Sequence, residues 1–242
     1  MPRFFMDINA LVGDTVTIDG ENGRHLSKSL RVRPGEEVTL CDNRGKDYQA
    51  EVTEVVGDEV YAEVKSIQDS VTEPSVSVTL YQCITKSDKF ELVTQKAVEL
   101  GTDAIVPVSS EFCVAKIDGK EEKKIARWQK IAFEAAKQCG RGKIPEVRPS
   151  MSFKEAVKEA EGLKIMCYEH GGKPFRDIIA DMGEEKNIAI FIGSEGGFSE
   201  KEVELAKENG VNIATLGKRI LRTETAPICA ISVIMALTGN LE

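Results

Sequence analysis

Histidine is nearly absent from this chain: His25 and His170 are the only two among 242 residues. That scarcity argues against a histidine-rich metal site. Cys41, Cys83, Cys113, Cys139, Cys167 and Cys229 form no Cys-x-x-Cys pair, which argues against a zinc framework, and a chain of this size with no leader is a poor candidate for a disulfide scaffold. The cysteines are expected to be small buried hydrophobes. No apolar run is long enough for a bilayer: residues 228–237 are interrupted by Ser232, so this stretch reads as a buried core or interface helix. A basic-then-apolar leader is also missing, since Arg3-Phe4-Phe5-Met6 is followed at once by Asp7; a cytoplasmic location with no membrane attachment is expected. Finally, positive charge is not in excess. The net charge is −8, with 32 Lys and Arg against 40 Asp and Glu, and this argues against a general nucleic-acid binder.

What is present points to a folded α/β protein. Hydrophobic residues make up 41% and charged residues 30%, enough for a core beneath a well-solvated surface. Residues 1–70 read mainly as strands: 37–41, 47–55 with Tyr48, Ala50, Val52 and Glu54 on one side, and 59–66 with Val60, Ala62 and Val64 on one face. One helix, 23–30, interrupts them. Several short strands separated by turn signals suggest a small β-barrel. Residues 70–75, with Pro74, read as a linker. From 76 onward strands (76–83, 104–108, 164–168, 187–192, 212–216) alternate with helices (89–100, 121–139, 152–160, 174–182), the pattern of a parallel sheet covered on both faces.

Basic residues are clustered despite the acidic total. Arg24, His25, Lys28, Arg31 and Arg33 lie within 22–33 with no acid between them. Arg141, Lys143 and Arg148 form a second group, and Lys218, Arg219 and Arg222 a third. Each cluster alone reads as a solvated face; the three together favour a polyanionic substrate held at defined points.

Two loops follow the apolar runs 187–192 and 212–216. The first is Gly193-Ser194-Glu195-Gly196-Gly197-Phe198, the second Gly217-Lys218-Arg219-Ile220-Leu221-Arg222-Thr223-Glu224-Thr225-Ala226. Loops at the carboxyl ends of parallel strands are where such sheets bind ligands. The first loop matches neither a P-loop nor a dinucleotide fingerprint, and Glu195 would oppose a phosphate. It is either a tight strand-to-helix turn or a ligand site, with Ser199 and Glu202 forming a capping box behind it. The second loop packs six polar groups around Ile220-Leu221 and reads as a ligand site, with Pro227 in the first turn of the next helix.

These two loops resemble the paired C-terminal motifs of the RsmE-type ribosomal RNA (uracil-N3) methyltransferases of the SPOUT superfamily. The resemblance extends over nearly the whole chain, through Arg3-Phe4-Phe5, Arg24-His25-Leu26, the string from Leu30 to Gly35, Gln95 to Gly101, and Trp128 to Arg141. The chain departs from the family pattern at Ser194, where proline is usual, at Phe112, where a basic residue is usual, and at Cys139, where serine is usual. Ser194 is expected to loosen the first loop, since it lacks proline's fixed φ.

The resemblance implies a PUA-like barrel over 1–70 that binds RNA and a SPOUT α/β-knot domain over 76–242 with a C-terminal trefoil knot. It implies S-adenosyl-L-methionine as methyl donor, no metal, a homodimer, and N3 of a uridine in 16S ribosomal RNA within the small subunit as target. Two other readings stay open: a SPOUT enzyme with another target atom, such as a ribose 2′-oxygen, and a non-catalytic RNA-binding assembly factor. The donor is expected against Ile192, Gly193, Glu195, Gly196, Gly197, Leu216, Gly217, Ile220, Leu221, Arg222, Thr223 and Ala226, with Tyr168 either lining the pocket or serving as a core aromatic. Arg222 is the expected catalytic or orienting group, and Glu224 and Glu195 compete for the role of base. Arg3, Arg24, His25, Arg31 and Arg33 of the first domain, and Arg141 of the second, are expected to meet RNA.

Overall fold

A computed structural model describes residues 3–114, 119 and 121–241. The chain divides into two compact units, one comprising Met1–Glu73 with Ala136–Ile144, the other Pro74–Ala135 with Pro145–Glu242. Neither unit is one continuous stretch of chain, because Ala136–Ile144 returns to the N-terminal unit.

Within that unit run β1 (Arg3–Phe5), β2 (Leu11–Val12), β3 (Thr15–Ile18), α1 (Gly20–Arg24), β4 (Glu37–Cys41), β5 (Lys46–Val56) and β6 (Glu59–Asp69). The strands form one sheet in the order β1-β4-β5-β6-β3-β2, antiparallel except for β1 on β4. Phe4, Val16, Val38, Leu40, Ala50, Val52, Val60 and Ala62 meet in one core, as the wall of a small barrel requires. The alternation of Tyr48, Ala50 and Val52 faces this core, but a bulge between Val52 and Glu54 turns Glu54 outward. The expected helix is α1 followed by a wider π-type turn over His25–Leu30, which ends at Arg31 in the left-handed conformation, φ 55°.

Two arginines expected to meet RNA are internal to this unit. Arg3 gives its Nη2 to Asp47 Oδ1 at 2.6 Å and to Ser70 Oγ at 2.7 Å. The Arg141 side chain is 4% exposed and grips both oxygens of Glu73, with Nη2 2.7 Å from Oε2. Glu73 also accepts the backbone N–H groups of Gly142 and Lys143. A guanidinium consumed by a buried carboxylate has few donors left for a phosphate. Arg141 also lies in the N-terminal unit rather than the C-terminal one.

The second unit contains β7 (Ser77–Cys83), α2 (Ser87–Glu99), β8 (Ala104–Ser109), α3 (Glu121–Cys139, as far as Ala135), β9 (Glu146–Val147), β10 (Met151–Ser152), α4 (Phe153–Glu159), β11 (Leu163–Cys167), β12 (Lys173–Pro174), α5 (Phe175–Ala180), β13 (Asn187–Ile192), α6 (Glu200–Glu208), β14 (Asn212–Thr215) and α7 (Thr225–Leu237). All strand pairs are parallel, in the order β10-β8-β7-β13-β11-β14-β12, with β9 beside β8. β13 is buried from Ile188 to Ile192 because helices cover both faces. Tyr81 stacks on Phe191 at 4.7 Å, and Phe153 and Phe198 extend that core. Ser199 and Ser152 cap α6 and α4 through reciprocal bonds with Glu202 and Glu155. The α7 helix packs on α2, α5, β7 and β13. Among the described residues no helix is long and apolar enough to cross a membrane.

The Glu73–Arg141 pair generates a stability prediction. Burial raises the Glu73 carboxyl, but Arg141 and the two backbone donors outweigh it and leave the pKa below its ordinary value. A depressed carboxylate stabilises the fold fully above about pH 5 and loses that contribution as pH falls through the folded pKa. Arg141→Met is expected to cost about 3 kcal/mol in urea unfolding at pH 7, with a smaller difference from the parent protein at pH 3. An equal difference at both values would contradict the ion-pair account.

Candidate active site

The carboxyl ends of β7, β13, β11 and β14 are consecutive neighbours in the sheet, so the segments leaving them share one edge. The loop after β13 turns tightly: the Gly197 N–H donates to the Ser194 carbonyl at 3.1 Å, and Gly197 has φ 71°. A side chain on Gly197 would collide with the Glu169 carboxylate, and a Cβ on Gly193 would sit 3.0 Å from the Gly197 Cα. Gly193 permits a close approach of backbone, and Gly197 a left-handed turn, that a residue with a side chain would strain. Ser194 does not loosen the loop as expected. Its hydroxyl donates to the Phe112 carbonyl at 3.2 Å and accepts the Gly196 N–H at 3.4 Å, replacing proline's rigidity with hydrogen bonds.

The second loop is tied to the first. Buried Thr223 donates its hydroxyl to the Gly193 carbonyl at 2.7 Å. Gln82, at the end of β7 and fully buried, donates Nε2 to the Thr223 hydroxyl at 3.2 Å, and the same amide group faces the Gly193 and Cys83 carbonyls. Together the two loops and the ends of β11 and β13 enclose a cavity of ≈ 370 Å³. Every residue expected against the donor, Tyr168 included, lines it except Gly196. Gly196 instead packs on Phe112, whose Cβ would lie 2.7 Å from any added Cβ.

The charge of this cavity centres on a residue that the sequence reading passed over. Lys89, in the first turn of α2, reaches the cavity, with Nζ 3.3 Å from Glu195 Oε1 and 3.3 Å from Glu224 Oε2. Burial pulls the ammonium's pKa down, but the two carboxylates outweigh it and raise it above the ordinary lysine value. Burial likewise pushes Glu224 up, yet its own backbone N–H, Lys89 and Arg222 hold it below the usual carboxylate range. Glu195 and Arg222 line the cavity; Glu224 stands behind them, in contact through Lys89. A lysine in a helix's first turn opposes the macrodipole, and a lone glutamine inside the apolar run 78–83 must find partners; both were sequence signals of a site.

Among the remaining expectations, Arg24, His25, Lys28, Arg31 and Arg33 are exposed. Arg24 and Lys28 share Asp58, at 3.3 and 2.6 Å, and His25 lies 5.8 Å from the Phe4 ring. Cys41 and Cys83 are buried as expected, but Cys139 is exposed. Cys113 also departs: hydrogen bonds from Cys83 and Ser110 outweigh burial and lower its thiol to about 6. No group of three or more His, Cys, Asp or Glu side chains that could hold a metal occurs among the described residues.

A parallel sheet with a glycine-walled cavity at its carboxyl edge is the arrangement of an α/β ligand-binding domain. Residues 72–235 match the RNA methyltransferase domain family and residues 18–65 the RNA methyltransferase PUA domain. The chain is 33% identical to the ribosomal RNA small subunit methyltransferase E of Bacillus subtilis, over all of this chain and 99% of that protein. It is 37% identical to the protein of that name from Mesomycoplasma hyopneumoniae, over 64% of this chain and 68% of that one. A solved ribosomal RNA small subunit methyltransferase E from Neisseria gonorrhoeae, bound to S-adenosyl methionine, superposes with a TM-score of 0.84 at 38% identity, covering 98% of each chain. The chain belongs to the ribosomal RNA small subunit methyltransferase E family.

Gly197 gives a direct test of the loop geometry. Gly197→Ala is expected to cost about 1 kcal/mol in chemical unfolding from the left-handed backbone alone. The Glu169 carboxylate, at the end of a flexible side chain, must also move aside. An alanine variant as stable as the parent would show that the turn is not constrained in this way.

Proposed function

We propose that this chain transfers the methyl group of S-adenosyl-L-methionine to N3 of a uridine in small-subunit ribosomal RNA. The observation that carries the reading is the cavity itself: backbone and glycine walls, apolar Ile192 and Leu221, and carboxylates paired with Lys89. Such walls suit an adenosine, and the Glu195 carboxylate suits a cationic sulfonium. When bound, the donor supplies an electrophilic methyl group, so no covalent enzyme intermediate is needed.

The chain's own residues then have distinct tasks. Backbone groups of Gly193, Leu216, Gly217 and Leu221 offer donors and acceptors to the adenine edge, with Ala226 near the ring and Tyr168 at the wall. The return of α7 to β7 and β13 suits the trefoil knot implied by the family, with the Thr223–Gly193 bond at its closure. Arg222 lies where it can stabilise the uracil anion as the N3 proton leaves. Glu195 is the better placed proton acceptor of the two glutamates: it lines the cavity and Glu224 does not, and the lowered pKa of Glu224 makes it a weaker base. Since N3 is the pairing edge of uracil, the target base must be unpaired or splayed out.

Arg24, His25, Arg31 and Arg33, on the exposed surface of the N-terminal unit, are proposed to track the RNA backbone and make binding salt-dependent. Residues 1–70 then serve as the RNA-binding domain and 76–242 as the methyltransferase domain. The working form is proposed to be a cytoplasmic homodimer acting on the assembled small subunit, with the partly exposed face of α7 as its interface.

Incubation of small-subunit particles and naked ribosomal RNA with methyl-labelled donor, followed by nucleoside analysis, is expected to give 3-methyluridine. Label on a ribose 2′-oxygen, or none, would contradict the proposal. Arg222→Ala is expected to lower turnover by about 10²-fold while donor affinity changes by less than about threefold. Arg31→Glu should raise KM for RNA and leave donor binding intact; a parallel loss of donor binding would make Arg31 a folding residue.

A further inference from the structure

We propose that Lys89 is a catalytic cation of this site: it holds a uracil carbonyl oxygen as negative charge gathers on the base, and it balances Glu195 at the cavity wall and Glu224 behind it. The proposal deepens the methyltransferase reading above and rests on it.

Three observations carry it. First, Lys89 lines the same cavity as Glu195 and Arg222, although it comes from α2 and not from either glycine-containing loop. Second, its surroundings work against a cation placed there for solubility alone. The side chain is only 24% exposed and sits in the first turn of a helix, where the macrodipole opposes positive charge. Two carboxylates from different loops hold it in place, each 3.3 Å away. Third, an ammonium has three N–H donors. Glu195 and Glu224 occupy two directions, which leaves one for a ligand in the cavity.

The charge balance follows. Without Lys89, Glu195 at the cavity wall and Glu224 behind it would lose the ammonium they share, and the negative charge opposing a uracil anion would rise. With it, the trio carries one net negative charge, which tolerates a sulfonium while offering a cation to the base. In the transfer, the N3–H bond breaks and its proton passes to Glu195. The N3 electron pair forms the new bond to the methyl carbon, the carbon–sulfur bond breaks, and its electron pair stays on sulfur as a neutral thioether. Charge that spreads from N3 onto the adjacent carbonyl oxygens in this step is where the third Lys89 N–H acts, alongside Arg222.

The test compares the parent chain with Lys89→Met, which keeps the side-chain length, and Lys89→Arg, which keeps the charge. Three readouts are taken: turnover and KM on small-subunit RNA, melting temperature, and calorimetric affinity for S-adenosyl-L-methionine against the neutral S-adenosyl-L-homocysteine. Lys89→Met is expected to lower kcat by roughly 10²-fold with KM for RNA changed by less than about threefold. It should also favour the sulfonium over the thioether by roughly three- to tenfold more than the parent does, because one opposing charge is gone. Lys89→Arg is expected to restore part of the turnover. Parental turnover in Lys89→Met would overturn the proposal, as would equal weakening of both ligands with a lower melting temperature, the signature of a purely structural pin. If the parent chain itself leaves RNA unmethylated, the uracil reading fails separately. The sulfonium-to-thioether ratio then still decides the matter: an unchanged ratio overturns the placement of the Lys89 charge, and a raised one supports it.

Discussion

The hydrogen bond from Thr223 to the Gly193 carbonyl, 2.7 Å long and buried, is the contact on which the rest of the site depends. Gly193 follows β13 at the centre of the sheet, whereas Thr223 comes after β14, two strands away. Between them the chain must cross the edge of β11 and return. Gln82 fixes the junction from a third strand by donating to the same hydroxyl. A buried network of this kind restrains the groups it joins, although Oε1 of the same Gln82 amide has no hydrogen-bond partner among the described residues. Remove the junction and the second loop loses its tie to the first, leaving the Lys89–Glu224 ion pair to hold it, so Arg222, the immediate neighbour of Thr223 in sequence, is less firmly placed.

From that junction the electrostatics follow. Glu195 and Glu224 arrive from opposite sides and meet on one ammonium, Lys89. Each loop thus contributes one carboxylate, and a helix from elsewhere contributes the compensating charge. Arg222 lowers Glu224 further, and Lys218 and Arg219 join Lys89 and Arg222 around the cavity, beside the carboxylates of Glu169 and Glu195. Preorganised charge of this sort acts without reorganisation when a reaction moves charge. The remaining basic groups serve other ends: Arg3 and Arg141 lock the N-terminal unit together through Asp47 and Glu73, while Arg31 and Arg33 stay exposed.

Much of this was legible in the sequence. The apolar run of β13, the 121–139 helix and the Ser199–Glu202 capping box are local patterns, and they form where the sequence puts them. The two loops could be paired because each follows a strand of one parallel sheet. What sequence could not supply was partnership over long separations. Arg141 and Arg3 look like free basic residues until Glu73 and Asp47, 68 and 44 positions away, are seen against them. Ser194 looks like a loosened proline until its hydroxyl is found on Phe112, and Gly196 looks like a pocket wall until its lack of a side chain proves to serve Phe112 instead. Lys89 was hidden because it lies outside both recognisable loops.

The central claim is that the two loops form one donor site only while Thr223 joins them. Calorimetric titration of S-adenosyl-L-methionine into Thr223→Val and Thr223→Ser tests it most directly. Loss of the hydroxyl leaves the Gly193 carbonyl and the Gln82 amide without a shared partner, so Thr223→Val is expected to bind the donor at least about tenfold more weakly than the parent, whereas Thr223→Ser keeps most of the affinity. Parental affinity in a folded Thr223→Val protein would contradict the account.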